Sequence, residues 1–338
     1  MRVVVVGGTG NLGTAVLRRL HAEDRVTELV GVARRLPRGA GSPYGGVQWF
    51  PLDIGAPGAR DRLAEVFRGA DAVVHLGWAL QPSHDPARMR ATNVDGTAAV
   101  LGAVADAGVP QVVVASSVGT YASGPKGRRV DESWSTKGLR RSSYSRYKAE
   151  NETMLTDFEA RRPDVTVTRL RPGLVMQPAA AAEIVGLFAG RRVPTRWLRH
   201  VRPPVLPLSP RFVSQVVHAD DVADAAWRAI DRRAGGAFNL AAEPPVDAGD
   251  VARAVGSRLL PVPYRALRLV VQVTWWLRLQ PTEPGWLDIA AKVPVMATDR
   301  ARRVLGWEPR HPAQDVLREF VGAVADRTGH PDSAPLRG

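Results

Sequence analysis

The 338-residue chain contains no cysteine. Disulfides, thiolate nucleophiles, cysteine-ligated zinc and iron–sulfur clusters are therefore excluded, and any chemistry must rest on other side chains. Long hydrophobic runs are missing too. The greasiest region, Val262 to Leu279, is interrupted by Arg265, Arg268 and Arg278, and it falls short of the roughly 18 uninterrupted apolar residues of a membrane span. The opening MRVVVVGGTG runs from one basic residue into only four valines, with no small-residue cleavage site behind them. It reads as a mature β-strand rather than a secretion signal, so a soluble cytoplasmic protein is expected. Lysine is scarce: of 46 basic residues 42 are arginine, scattered along a chain of formal net charge +13. Scatter argues against a dedicated nucleic-acid face and for a solvated background, with a few arginines left for a phosphate-bearing ligand.

What is present is enough apolar material, 45% of residues, for one large α/β domain or two linked units. Near-continuous apolar runs at Val3 to Val6, Leu29 to Ala33, Ala72 to Leu76, Val112 to Ala115 and Val165 to Leu170 suit parallel strands covered on both faces. Helical stretches at Leu12 to Ala22, Ala59 to Phe67, Ala91 to Ala107 and Ser145 to Arg161 lie between them. The alternation specifies a doubly wound α/β sheet. After about Pro172 the pattern turns irregular. The expected division is a nucleotide-binding domain over 1–172, with 211–243 returning to it, and a smaller substrate-binding unit from 173–210 and 244–325. A disordered tail is expected over 326–338.

Gly7-Gly8-Thr9-Gly10-Asn11-Leu12-Gly13 follows the first strand directly and opens the first helix. Such glycines allow a tight turn and close backbone approach, so that a pyrophosphate can sit on the amides of the helix N-terminus. The second strand ends Gly31-Val32-Ala33-Arg34-Arg35, without the carboxylate that would bind a ribose 2′-hydroxyl. A guanidinium there suits a 2′-phosphate, which favours NADP over NAD.

Tyr144 and Lys148 stand four residues apart in a helical stretch, on one face. A neighbouring ammonium favours the phenolate, so the tyrosine pKa is expected below its usual value near 10. Tyr147 has Asn151 in the corresponding place and is passed over. The strand over Val112 to Ala115 ends in Ser116-Ser117, at the sheet edge where ligands of such folds bind, and a serine hydroxyl there is placed to hold a substrate oxygen.

Together these motifs resemble the short-chain dehydrogenase/reductase superfamily, and more narrowly its extended branch, the NAD-dependent epimerase/dehydratase family. Further matching segments are Asp53-Ile54, His75 to Trp78, Asn93 to Thr97, Arg171-Pro172-Gly173, Val217 to Ala223 and Leu305 to Pro309, so the resemblance covers about residues 1 to 325. It implies a Rossmann-type fold, and Tyr144 as catalytic acid/base with Lys148 tuning it and binding the nicotinamide ribose. Ser117, four residues before Tyr121, becomes the substrate-oxygen donor. Gly7, Gly10, Asn11 and Leu12 would cradle the pyrophosphate, with Asp53 and Ile54 at the adenine edge. Leu76, Gly77 and Trp78 would line the cofactor, as would Ser116, while Pro172, Gly173 and Leu174 border the nicotinamide. A homodimer through the helices carrying Tyr144 and Ala91 is also implied.

His75 and His218 lie in apolar strand-like contexts and read as structural, and no metal site is visible. Asp220 and Asp221 read as caps of the helix that follows them. Sugar-nucleotide members of the family commonly carry asparagine where this chain has Leu174, and arginine just before the segment that here begins at Val216 after Ser214-Gln215. Both differences remove groups that would hold a nucleotide diphosphate. The bulky apolar residues of the later part, among them Trp197, Leu198, Phe212, Leu267, Leu269, Trp275, Trp276 and Trp286, read in one way as core or dimer contacts and in another as walls, several of them, of an apolar pocket. A third reading makes Tyr264 to Leu279 a basic amphipathic helix in peripheral contact with a membrane. The expected activity is hydride transfer at a hydroxyl/ketone carbon of a small, apolar metabolite. The alternatives are a sugar-nucleotide epimerase or dehydratase with tightly held NAD, and a non-catalytic dinucleotide sensor.

Overall fold

The computed structural model describes residues 1–39, 41–81, 83–181, 184 and 203–326. Trp197, Leu198 and the expected tail beyond residue 326 lie outside them. Seven parallel strands form one sheet: β1 (Arg2–Val6), β2 (Glu28–Ala33), β3 (Val47–Pro51), β4 (Ala72–His75), β5 (Gln111–Ala115), β6 (Thr166–Pro172) and β7 (Gly236–Leu240). Their order is β7-β6-β5-β4-β1-β2-β3. The chain therefore winds one way from β1 to β3 and the other way from β4 onward, and the reversal between β1 and β4 opens a crevice at their carboxyl ends.

Alternation along β1 divides the core. Val3 and Val5 face a layer containing α1 (Asn11–His21) and a helix over Ala219–Asp231, where Leu17, Leu20, Trp227 and Ile230 are buried. Val4 and Val6 face the opposite layer, with Leu63 and Phe67 of α2 (Ala59–Phe67), Val100 and Val104 of α3 (Gly96–Asp106), and Leu155 and Phe158 of α4 (Ser143–Arg161). A strand buried on both faces has no position for a polar side chain, hence the unbroken valines.

Two local expectations change. The helix read over Ala91 to Ala107 begins with a π-helical turn, Ala91–Asp95, before α3. Asn93 sits in that turn and clamps Ala79 from both sides, accepting from its N–H at 2.7 Å and donating to its carbonyl at 2.9 Å. The wider turn aims Asn93 at the loop after β4. The acidic pair does not cap the helix Ala219–Asp231; the His218 ring accepts from the Asp220 N–H instead. Asp220 pairs with Arg18 at 2.7 Å, and the Asp221 carboxylate accepts from the backbone N–H groups of Arg310 and His311, about 90 residues ahead. Beside them Trp307 is fully buried and donates its indole N–H to the Asp221 carbonyl at 2.7 Å.

Under the carboxyl edge of the sheet lies a buried ionic cluster. Arg171 at the end of β6 binds both carboxylate oxygens of Glu152 on α4, at 2.8 and 2.7 Å, and also reaches the Tyr121 hydroxyl at 3.0 Å. Arg169 approaches the same carboxylate to 3.4 Å, and Ser116 donates to it. Burial alone would raise the Glu152 pKa, but the hydrogen bonds and charge of Arg171 hold it below the usual carboxylate range. Removing one partner of such a pair strands the other in a low dielectric, so Glu152→Ala is expected to cost about 3–5 kcal/mol in urea denaturation at pH 7. Because the folded-state pKa is depressed, the contribution is present above the ordinary value of 4.5 and is lost as pH falls through the lowered one.

Candidate active site

At the crevice the backbone of β1 turns on Gly7, whose φ is +87°, and a Cβ there would stand 2.8 Å from the amide nitrogen of Gly77. Only glycine brings the two loops so close. A Cβ on Gly13 would lie 2.3 Å from the Gly7 carbonyl oxygen, so this glycine lets the first turn of α1 pack beneath the loop. No side chain caps α1 at Gly10, so its first amides face the crevice. A tight turn, a bare helix N-terminus and a cavity running along both are what a dinucleotide pyrophosphate needs, and the residues present fit that group.

That cavity, of about 450 Å³, collects every residue expected to act in catalysis or to hold the cofactor. Gly7, Gly10, Asn11 and Leu12 line one side, and Arg34, Asp53 and Ile54 stand at the ends of β2 and β3. Leu76, Gly77 and Trp78 come from the end of β4, Ser116 and Ser117 from β5, Tyr144 and Lys148 from α4, and Pro172, Gly173 and Leu174 from β6 and beyond. Arg34 is exposed at the rim, whereas Asp53 accepts from the Gly55 N–H and Ile54 is buried. Ser116 lines the cavity while its hydroxyl is turned to Glu152.

The reactive centre is compact. The Ser117 side chain stands beside Tyr144, across Gly119, and accepts from the Gly119 N–H at 3.0 Å. Tyr144 can stand there because position 119 has no side chain: a Cβ would lie 2.7 Å from its ring. Trp78 meets the ring edge-on at a centroid distance of 5.4 Å, and Trp286 covers it at 4.5 Å. Lys148 donates to the Ala115 carbonyl at 2.7 Å and holds its ammonium 3.6 Å from the centre of the Trp78 ring.

This enclosure reverses the expected tuning. Burial pushes the Tyr144 phenol up to about 12, with the neighbouring Ser117 hydroxyl opposing, and it brings Lys148 down to about 7, with Glu152 opposing. Desolvation outweighs the i, i+4 charge effect because Lys148 is buried and the Tyr144 ring is partly covered by the two tryptophans. His75, fully buried beside Thr97 at 3.0 Å, is held down to about 3 by burial and then by Lys148, and stays neutral. Among the described residues no group of three or more acidic or histidine side chains is placed to hold a metal.

A model of the NAD dependent epimerase/dehydratase family matches residues 3–241. The chain belongs to that family. Curated relatives include an uncharacterised protein of Mycobacterium tuberculosis, 28% identical over 334 residues, which are 97% of this chain but 31% of that protein. The family member described here thus spans about a third of that relative's length. The 4-hydroxy-2-methyl-3-oxo-4-farnesyl-3,4-dihydroquinoline-1-oxide ketoreductase of Stigmatella aurantiaca is 24% identical over 94% of this chain and 96% of its own. Among solved structures, UDP-glucose-4-epimerase of Stenotrophomonas maltophila, with bound NAD and formylated UDP-arabinopyranose, superposes with a TM-score of 0.72 at 23% identity. It covers 97% of this chain and 99% of that one. The UDP-glucose 4-epimerase of Thermus thermophilus in complex with NAD gives 0.70 at 23%, over 96% and 99%. These likenesses identify the fold as that of the family.

Several residues at the site had no assigned role in the sequence. Gly119 makes room for Tyr144, and Glu152 continues the Tyr144, Lys148 face of α4 at i+8, a spacing that does signal it. Gln177 ties the glycine turn to the later chain through the Asn11 side chain at 2.8 Å and the Thr14 hydroxyl at 3.1 Å. Of the bulky later residues named above that are described, Trp286 alone lines the cavity; Ile289, Ala290, Val293, Pro294 and Val295 complete its wall. Leu269 and Trp276 are exposed on a helix outside it, so of the two readings the one in which several of that set wall the pocket does not hold among the described residues.

With Lys148 depressed to about 7 in the folded state against 10.5 in the open chain, the unfolded state binds the extra proton between those values. Stability should therefore rise across that window as pH increases. Lys148→Met is expected to flatten this rise in melting temperature measured from pH 7 to 10.5.

Proposed function

We propose that this chain is an NADP(H)-linked oxidoreductase acting at a hydroxyl/ketone carbon of a small, apolar metabolite, with Tyr144 moving the coupled proton. The observation that carries the reading is the meeting of Ser117 and Tyr144 at Gly119 in one cavity, beside a wall of Trp286, Ile289, Val293 and Pro294. The charged residues that line the cavity, among those described, are Arg34, Arg35, Asp53 and Lys148, and none belongs to that wall. Leu174 is 44% exposed, and Gln215 is bound to both backbone groups of Met296. Neither is arranged to grip a nucleotide diphosphate.

In this reading the amides of Gly10 to Leu12 hold the pyrophosphate, Arg34 with Arg35 the 2′-phosphate, and Asp53 and Ile54 the adenine edge. Lys148 takes the ribose hydroxyls, Leu76 to Trp78 line the cofactor, and Pro172 to Leu174 border its ring. When bound, the nicotinamide exchanges a hydride with the substrate carbon. Ser117 holds the substrate oxygen, and Tyr144 passes its proton to that oxygen or takes it back. A phenol kept protonated by burial begins as an acid, which suits the reductive direction. The named substrate of the Stigmatella relative, with its farnesyl group, supports an apolar ligand. The intact Ser117, Tyr144 and Lys148 set supports an enzyme over a dinucleotide sensor.

The same reading assigns 1–172 and 211–243 to the nucleotide-binding unit and 173–210 with 244–325 to the substrate unit, and pairs two copies through the helices carrying Tyr144 and Ala91. Sugar-nucleotide epimerisation is the competing reading, favoured by the fold likeness to UDP-glucose 4-epimerases. It leaves the cofactor unchanged over a cycle, whereas reduction consumes one NADPH per product, read at the nicotinamide absorbance band.

Tyr144→Phe is expected to lower turnover by about 10²–10⁴-fold while NADPH still raises the melting temperature. An unchanged rate would remove the proposed acid. Arg34→Ala should weaken NADPH binding at least about tenfold more than NADH binding in a titration, by loss of a charge-assisted phosphate contact. Equal losses would assign Arg34 to the solvated background.

A further inference from the structure

We propose that the helix Tyr264–Trp276 and its closing turn through Leu279 dock this protein on an anionic lipid surface, from which the cavity receives its apolar substrate; this rests on the function proposed above. The helix is fixed in orientation by its inner side. The Tyr264 hydroxyl and the Arg268 guanidinium both bind the buried Asp288 carboxylate, the latter at 3.0 Å. Trp275 donates to the Ser83 hydroxyl at 2.9 Å and stacks on His84 at 4.3 Å. What remains outward is a stripe at helical spacing: Leu269, Val270, Val273, Trp276 and Leu277, followed by Leu279. Trp276 is 73% exposed and Leu279 68%, and no residue of this helix is fully buried. Such a cluster of large apolar groups far exceeds the scattered single exposures of an ordinary surface.

Charge selects the occupant. Between Asp250 and Glu283 the chain carries no carboxylate; of its five arginines Arg253 and Arg268 pair with Asp250 and Asp288, while Arg258, Arg265 and Arg278 add exposed positive charge. Arg265 and Arg278 are exposed at the two ends of the apolar stripe, where long side chains lay their stems along acyl chains and place guanidinium groups among phosphates. Arg278 adopts φ +56° in the turn that ends the helix, a conformation glycine takes without strain. A second copy fits less well, because twofold pairing of the stripe would set Arg265 of one copy toward Arg278 of the other.

The docking face adjoins the cavity. Pro281, just past the turn, accepts from Gln81 at 3.1 Å and from Ser83 at 2.8 Å, and Gln81 lines the cavity. The chain that leaves the docking segment therefore braces the Gln81 loop at the edge of the site. An apolar ligand partitioned into the membrane would reach Tyr144 without crossing bulk water.

The test is co-sedimentation of the full chain with vesicles of phosphatidylglycerol and phosphatidylcholine, or of phosphatidylcholine alone. Binding is expected to the anionic vesicles, at least tenfold above the neutral ones and falling steeply between 0.1 and 0.5 M salt, on the order of the change in Debye length from 10 to below 5 Å. A variant with Leu269→Ser, Val270→Ser, Trp276→Ser and Leu277→Ser should lose at least tenfold in binding while keeping its melting temperature and the NADPH-induced shift. Equal sedimentation of both proteins, or none with anionic vesicles, overturns the proposal. Loss of a concentration-dependent dimer in the variant, without vesicle binding, assigns the face to a second copy and overturns it as well. The binding assay uses neither cofactor nor substrate, so failure of the proposed reaction would show separately, as absent NADPH oxidation with intact vesicle binding.

Discussion

Glu152 lies where α4 crosses the carboxyl edge of the sheet, and its carboxylate is shared among Arg171 from β6, Ser116 from β5 and Arg169. Those contacts join the three elements that carry the site. Ser117 follows Ser116, Pro172 follows Arg171, and Lys148 stands one helical turn before Glu152. Burying the charges is costly, and the cost is offset only because the guanidinium binds both oxygens and the serine satisfies a further lone pair. The cluster sets the distance between sheet edge and helix, and with it the meeting of Ser117 and Tyr144. It also supplies the negative charge that opposes the desolvation of Lys148.

The local parts of this design are legible in the amino-acid order. A glycine turn after four valines, an i, i+4 tyrosine and lysine, and serines ending a strand need only short-range geometry to be interpreted, and all of them meet in one cavity. The direction of the Tyr144 and Lys148 shifts is not legible in the same way. It depends on how completely Trp78 and Trp286, more than 200 residues apart, close over the pair, and spacing along one helix says nothing of that. Asp221 is similar: beside a helix start it reads as a cap, and only the return of Arg310 and His311 shows what it binds. The π-helical turn at Asn93 escapes notice because the residues there are compatible with an ordinary helix, and the Ala79 backbone that Asn93 binds lies 14 residues away.

The site is polar at one end and apolar at the other. Backbone amides and arginines gather at the ends of β1 and β2, while the wall from Trp286 to Val295 presents almost no polar side chain to the cavity. Polar and apolar parts of a ligand would be sorted between the two ends by what each wall can solvate.

Trp307 has a bearing on how the chain comes to be folded. Its indole fills the layer between α1 and the helix Ala219–Asp231, and that helix receives the backbone of Arg310 and His311 on its Asp221. The family match ends at residue 241, and by then all seven strands have been synthesised. A hole the size of a tryptophan still stands in the hydrophobic layer behind β1, and the Asp221 carboxylate still lacks its donors. During synthesis the nucleotide-binding half must wait some seventy residues for its last core side chain, on the order of several seconds at the usual pace of elongation. The hydrophobic layer behind a sheet whose strands are all made is thus completed from the far end of the chain.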